Sequence, residues 1–248
     1  MKTVALYSIK GGVGKTSSAV NLAFISACKG YRTLVWDLDP QGASSYYFRI
    51  KPKVKGGSKD LIAGKRELDG LIKGTDFENL DLLPSDFSFR NLDLVLDARK
   101  KPTRQLKKLL KPLAAEYDFI FLDCPPNISL LSEAVFETSD MLLSPIIPTT
   151  LSLRTLEQLE KFIEDNNLHN LELIPFFSMV DRRKKMHLDI MENLVKSHPG
   201  ILKTAIPYAS DIERMGLERM PLGGFIHKSR STEAYNELWQ ELMMRADA

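Results

Sequence analysis

Lys10-Gly11-Gly12-Val13-Gly14-Lys15-Thr16 lies between an apolar run, Thr3-Val4-Ala5-Leu6-Tyr7-Ser8-Ile9, and a stretch in which Ala19, Leu22, Ala23, Ser26 and Ala27 recur near the helical period. The order is strand, glycine-rich turn, helix. That context gives the letters their meaning. Backbone N–H groups wrapped round a phosphate need residues that enter unusual dihedral regions and approach closely, and the following helix adds its positive end. In such a loop, here Lys10 to Ser17, Lys15 reaches the β and γ phosphates of a nucleotide and the Thr16 hydroxyl completes magnesium coordination. The common spacing puts a glycine five residues before Gly14, where this chain has Ile9, and it supplies Lys10 next to it. A tight Gly-rich turn between strand and helix with two surface lysines is the competing reading, and the placement of Gly14-Lys15-Thr16 in that context weighs against it.

Working outward, Thr33–Trp36 forms a second strand ending at Asp37-Leu38-Asp39-Pro40, where proline stops the ladder. Strand character returns at 80–83, 119–122, 141–144, 171–177 and 202–206, and helical period at about 103–115, 129–137, 152–165, 185–196 and 230–245. Near-continuous apolar runs such as Phe119-Ile120-Phe121-Leu122 suit strands covered on both faces. The expected fold is therefore α/β, a mostly parallel central sheet with helices on both faces. Arg49 to Ser58 reads as a surface connection, and residues 1–248 as one domain. Asp37 and Asp39, spaced i,i+2 at a strand's C-terminal end, point to one side if the strand persists. One can position water for in-line attack and the other can hold metal-bound water, while a solvated strand end is the plainer alternative. Asp123, closing the second buried run before Cys124-Pro125-Pro126, is another magnesium candidate.

The chain has 248 residues, 34 Lys plus Arg against 32 Asp plus Glu, and a formal charge of +2, which excludes a protein that coats polyanions with its whole surface. No run approaches the roughly 18 apolar residues of a membrane span, and Met1 to Ile9 is too short and strand-like for a signal peptide, so a cytoplasmic protein is expected. Cys28 and Cys124 are too few for a disulfide framework or a thiolate metal site.

Lys10 to Thr16, Asp37-Leu38-Asp39-Pro40-Gln41-Gly42, Leu83-Pro84-Ser85, Asp118 to Pro126 and Ile206-Pro207 together resemble the ParA/MinD family of deviant Walker A P-loop ATPases, closest to its short ParA-type partition and positioning proteins. The resemblance extends through nearly the whole chain. It implies ATP and Mg2+ as ligands and a homodimer in the ATP state, with Lys10 reaching the nucleotide of the facing subunit. It further implies Asp39 in the hydrolytic switch, Asp37 supporting magnesium and water, and Asp123 at the Walker B position. Slow hydrolysis, stimulated by a ParB-like or other cargo adaptor, nonspecific double-stranded DNA as the bound surface, and a nucleoid-associated location are implied with it.

Met179 and Asp181 follow one strand, Pro207 and Tyr208 the next, and both segments resemble adenine-side segments of the family; core and turn roles compete for them. The DNA candidates are Arg182, Arg183, Lys184 and Lys185, then Arg214, Arg219, Lys228 and Arg230, against the alternative of solvated helix ends. Arg99 to Lys111, broken by Pro102 and Pro112, extends a DNA surface, contacts an acidic partner or is simply solvated. No N-terminal DNA-binding extension of the kind in longer ParA proteins is seen, and the end near Trp239 and Leu242 lacks a separate basic amphipathic tail. The first feature argues against operon autoregulation through a dedicated operator-binding domain, and the second favours DNA over stable membrane insertion. A MinD-like membrane switch, a nucleotide-dependent protein-binding scaffold and a small-molecule kinase remain as alternatives.

Overall fold

Phe119–Asp123 explains the layering: all five residues are buried, and their side chains alternate between two apolar clusters. The computed structural model describes residues 1–65 and 67–246. Its strands are β1 (Lys2–Leu6), β2 (Thr33–Asp37), β3 (Lys73–Gly74), β4 (Leu80–Leu83), β5 (Phe119–Asp123), β6 (Met141–Ile146), β7 (Glu172–Val180) and β8 (Leu202–Pro207). Helices in the first half are α1 (Lys15–Cys28), α2 (Ala43–Tyr47), α3 (Gly57–Ile62), α4 (Leu92–Asp97) and α5 (Gln105–Leu110). Those in the second half are α6 (Leu130–Thr138), α7 (Thr150–Asp165), α8 (Lys185–Ser197), α9 (Ser210–Glu218) and α10 (Arg230–Ala246). Phe119 and Phe121 share a cluster with residues of α1 and α10, whereas Ile120 and Leu122 share the other with residues of α4, α5 and α6.

The strands form one eight-stranded sheet in the order β3-β4-β2-β5-β1-β6-β7-β8, parallel except for β3 against β4. The chain leaves β1 towards β2 on one side, and β6 pairs with β1 on the other. The loop after β1 therefore stands at a switch point, where open α/β sheets bind ligands. Parallel register sets Asp37 opposite Asp123, two carboxylates side by side at the same sheet edge.

The long elements fall where the sequence pattern puts them. The 103–115 stretch is not one helix: α5 ends at Leu110 and a 3-10 turn, Lys111–Ala115, follows, because Pro112 has no N–H for the ladder. The short elements α2, α3, α4, α9 and β3 were not anticipated. The 49–58 connection is fastened, since Val54 is buried and its N–H donates to Asp86 Oδ2 at 2.9 Å, while Arg49 donates to the Glu218 carbonyl at 3.0 Å. α10 packs on β8 and α1, burying Leu238, Trp239 and Leu242. Among the described residues no helix is long and apolar enough to cross a membrane.

Candidate nucleotide site

The loop from Lys10 to Gly14 needs its glycines: Gly12 has φ +71° and Gly14, the N-cap of α1, φ +93°. It is held from β7, where Ser178 Oγ donates to the Val13 carbonyl at 2.8 Å. Lys15 begins α1 and is buried, and its Nζ donates to the Lys10 carbonyl at 3.1 Å, folding the side chain back over the loop. Burial pulls its ammonium below the usual value, opposed by the charges of Asp123, Cys124 and Asp39. Lys10 is half-buried, and among the described residues its Nζ has no hydrogen bond or ion pair. Ser17 is half-buried on the first turn of α1.

Thr16 Oγ1 donates to Asp123 Oδ1 at 3.2 Å, which joins the start of α1 to the end of β5. Ser44 Oγ donates to the other carboxylate oxygen at 2.7 Å. Burial pushes Asp123 up to about 6, with Asp39 adding to the rise and the Ser44 and Thr16 bonds and Lys15 opposing it. Asp37 is buried beside it: its Oδ2 accepts from both N–H and Oγ of Ser45, at 2.8 and 2.7 Å, and its Oδ1 has no partner among the described residues. Burial, then the Asp123 charge, holds it well above the ordinary carboxylate range. Asp39 is half-buried; its Oδ1 accepts from Gln41 N at 2.9 Å, and its carbonyl accepts from Ser85 Oγ.

Lys10, Lys15, Thr16, Asp37, Asp39 and Asp123 thus gather at one end of the sheet. Ser44, Ser45 and Ser178, which hold that cluster, were not singled out for these contacts from sequence. The signal for the first two was the Gly42-Ala43-Ser44-Ser45 step, in which a glycine at φ +67° opens α2 and turns two hydroxyls back towards the strand ends.

The remaining candidates divide. Met179 has φ +52° at the irregular end of β7, and Val180 faces Pro207 across the ladder, with the Tyr208 ring exposed beyond. Asp181 is engaged by Arg183, whose Nε and Nη2 donate to its two oxygens at 2.9 and 3.0 Å and pull the carboxyl down to about 2. Arg214 pairs with Glu218 at 3.0 Å. Arg219 donates to the Tyr46 carbonyl and lies 4.5 Å from that ring's centre. Arg182, Lys184, Lys185, Lys228 and Arg230 are exposed and, among the described residues, without an ion pair.

The AAA domain family model matches residues 1–173. The sporulation initiation inhibitor protein Soj of Bacillus subtilis (strain 168) is 29% identical over 247 residues, covering 97% of this chain and 98% of its own. A putative plasmid partition protein from Borrelia burgdorferi B31, bound to AMPPNP, superposes with TM-score 0.84 at 24% identity, covering 99% of each chain. Cobyrinic acid a,c-diamide synthase from Mycobacterium smegmatis, with a bound ATP analogue and magnesium, superposes with TM-score 0.83 at 23% identity, covering 100% of this chain and 96% of its own. With its matched AAA domain and its loop of Lys10 to Thr16, the chain belongs to the ParA/MinD family of P-loop ATPases, of the partition and positioning type.

Proposed function

We propose that this chain, read as one P-loop ATPase domain, is a magnesium-dependent ATPase switch that pairs with a second copy when ATP is bound. In that state it holds nonspecific double-stranded DNA and positions or segregates a cargo: a plasmid, a chromosome region or a protein assembly. The observation that carries the reading is the convergence of Lys15, Thr16 and Asp123 at the end of β5, with the Lys10 Nζ beside them unpaired among the described residues. The oxygen donors suit a small hard cation, for Thr16 and Asp123 already approach each other and Asp37 Oδ1 is a buried oxygen with no partner among the described residues. Magnesium, when bound, supplies positive charge at the phosphates undergoing transfer.

The chain's own groups do the rest. Backbone N–H groups from Gly11 to Ser17 and the Lys15 ammonium bind the phosphates, at the positive end of α1. Asp39 orients the attacking water, and Lys10 reaches the partner's nucleotide. Loss of the γ-phosphate contacts then releases the pair, so that hydrolysis is tied to an assembly equilibrium. Met179, Pro207 and Tyr208 border the adenine; Asp181, held by Arg183, orders that turn instead of reading the base. The DNA surface draws on Arg182, Lys184, Lys185, Lys228 and Arg230, whereas Arg183, Arg214 and Arg219 hold local structure. Such a protein is cytoplasmic and nucleoid-associated, and a ParB-like or other adaptor stimulates it. Leu238, Trp239 and Leu242 of α10 are buried against the sheet, which weighs against the membrane alternative, while Met244 stays exposed.

Oligomeric mass and double-stranded DNA binding, measured together in ATP, ADP or no nucleotide with magnesium and varied salt, test the reading. The expected result is a dimer and salt-sensitive DNA binding in ATP alone. A monomer in all three overturns the switch, and an ATP dimer indifferent to DNA transfers the function to a protein or membrane surface. Phosphate transfer to a small acceptor in place of release would make it a kinase.

A further inference from the structure

A second concave site lies at the other end of the sheet. A cavity of about 710 Å³ opens beside the N-terminal ends of β1, β6 and β7, bounded by α5 and its following turn, the end of α6 and the connection from α7 to β7. The phosphate loop leaves the opposite end of β1, so both sites can be filled at once. Buried Leu106 and Leu110 fix the roll of α5, which turns Lys107, Lys108 and Lys111 outward to line the cavity with Arg104.

The charge there is unbalanced. Arg104 pairs with Glu137 at 3.4 Å, and Asp140 accepts the Thr3 N–H at 2.7 Å, so both acidic groups of the cavity are engaged. Among the described residues the three lysines have no ion-pair partner, and Lys107 and Lys111, four apart, repel each other. Between the cations and β7 lies an apolar floor of Leu110, Phe136, Leu168 and Leu171.

We infer that this cavity docks an acidic peptide segment of a partner protein, one apolar side chain on the floor and flanking carboxylates on Lys107, Lys108 and Lys111. The volume falls within the range of about 300–1,000 Å³ that takes compact ligands. Duplex DNA carries its phosphates on a convex cylinder and does not enter a concavity of this size, which is why a peptide and not a nucleic acid is the occupant. The site is separate from the nucleotide-dependent surface and serves a partner that binds in either nucleotide state.

The test is fluorescence anisotropy of the full chain with a pool of labelled nonapeptides, each with one Leu or Phe among Asp and Glu. Saturable binding below about 1 mM is expected. It should weaken at least about tenfold in K107E/K108E/K111E and in Ala114→Trp, which narrows the cavity without changing charge. Arg99→Glu with Lys100→Glu, outside the lining, should change it less than about twofold. Equal loss in that control means diffuse electrostatics and overturns the proposal. So does the absence of saturation with every peptide, or duplex DNA binding that the lysine variant abolishes while no peptide binds. Thermal melting checks each fold, and Lys108→Glu alone with Ala114→Trp carries the test if the triple variant does not fold.

Discussion

Gly14 carries two constraints at once: φ of +93° at the start of α1, and a Cβ position only 2.8 Å from Ser178 Oγ. Gly14→Ala should therefore cost about 1–3 kcal/mol in the loop and lower ATP affinity, read by calorimetric titration and a thermal melt. Adding Ser178→Ala removes the contact and the hydrogen bond to the Val13 carbonyl but leaves the dihedral, so the double variant should still fall below Ser178→Ala alone; equality with that single variant would make sterics the sole cause. The buried carboxylates work in the other direction. Asp123, with no exposed surface, is raised to about 6, which corresponds to on the order of 3 kcal/mol, and Asp37 is raised beside it. A carboxyl whose folded pKa exceeds its unfolded one holds its extra proton only when folded. Its stability is thus fully present below the unfolded value of about 4 and is lost as pH rises through about 6. Asp37→Asn should consequently raise the melting temperature of the nucleotide-free protein near neutral pH, with the gain fading towards pH of about 4. An unchanged melt at neutral pH would mean that the two charges do not oppose folding.

At the scale of elements, α8 opens against its own dipole, with Lys184 at the N-cap, Lys185 next and no acidic residue in the first turn. That arrangement suits an anion-binding helix end, and its geometry depends on His187, whose Nδ1 accepts the Asp181 N–H at 3.2 Å. Burial, then Lys184, lowers the His187 pKa, with Asp181 opposing. A lowered folded pKa means that the stabilisation is present above the unfolded value of about 6.5 and is lost as pH falls through the folded one. Protection of the Asp181 amide and of the first turn of α8, taken relative to the intrinsic exchange rate at each pH, should fall on acidification, and His187→Gln should flatten that response; the same profile in both proteins would sink the assignment. Legibility followed element length. β5 and α1 were plain in the pattern because every residue of one and the period of the other report burial. Five-residue α2 and two-residue β3 offer too few positions for a period, and α9 buries only Met215. Lys15, Thr16 and Asp123 were readable from local motifs. Ser44 and Ser178 were not, since their partners lie 79 and 165 residues away and only the sheet brings them together.

For the whole molecule, one sheet sets the nucleotide loop at the strands' C-terminal ends, and the proposed DNA surface draws on five exposed cations, Arg182, Lys184, Lys185, Lys228 and Arg230, that have no ion pair among the described residues. A near-neutral chain cannot bind DNA tightly through so few charges. Five phosphate contacts give a slope of log affinity against log salt of only about −4 to −5. Pairing of two copies doubles the contacts and turns the second set into an intramolecular event, so affinity for DNA reports assembly without any new chemistry at the surface. Lys10 is the residue that separates these terms, because it lies in the loop yet its Nζ has no partner among the described residues of its own chain. Lys10→Ala should keep ATP binding to the monomer within about threefold while abolishing the ATP dimer seen by sedimentation. Its DNA binding in ATP should then fall to that of the ADP state, with the salt slope halved. A Lys10→Ala protein that still dimerises with ATP would place the pairing determinant elsewhere, and one that remains monomeric yet keeps the full slope would put DNA binding in the single subunit and remove assembly from the switch.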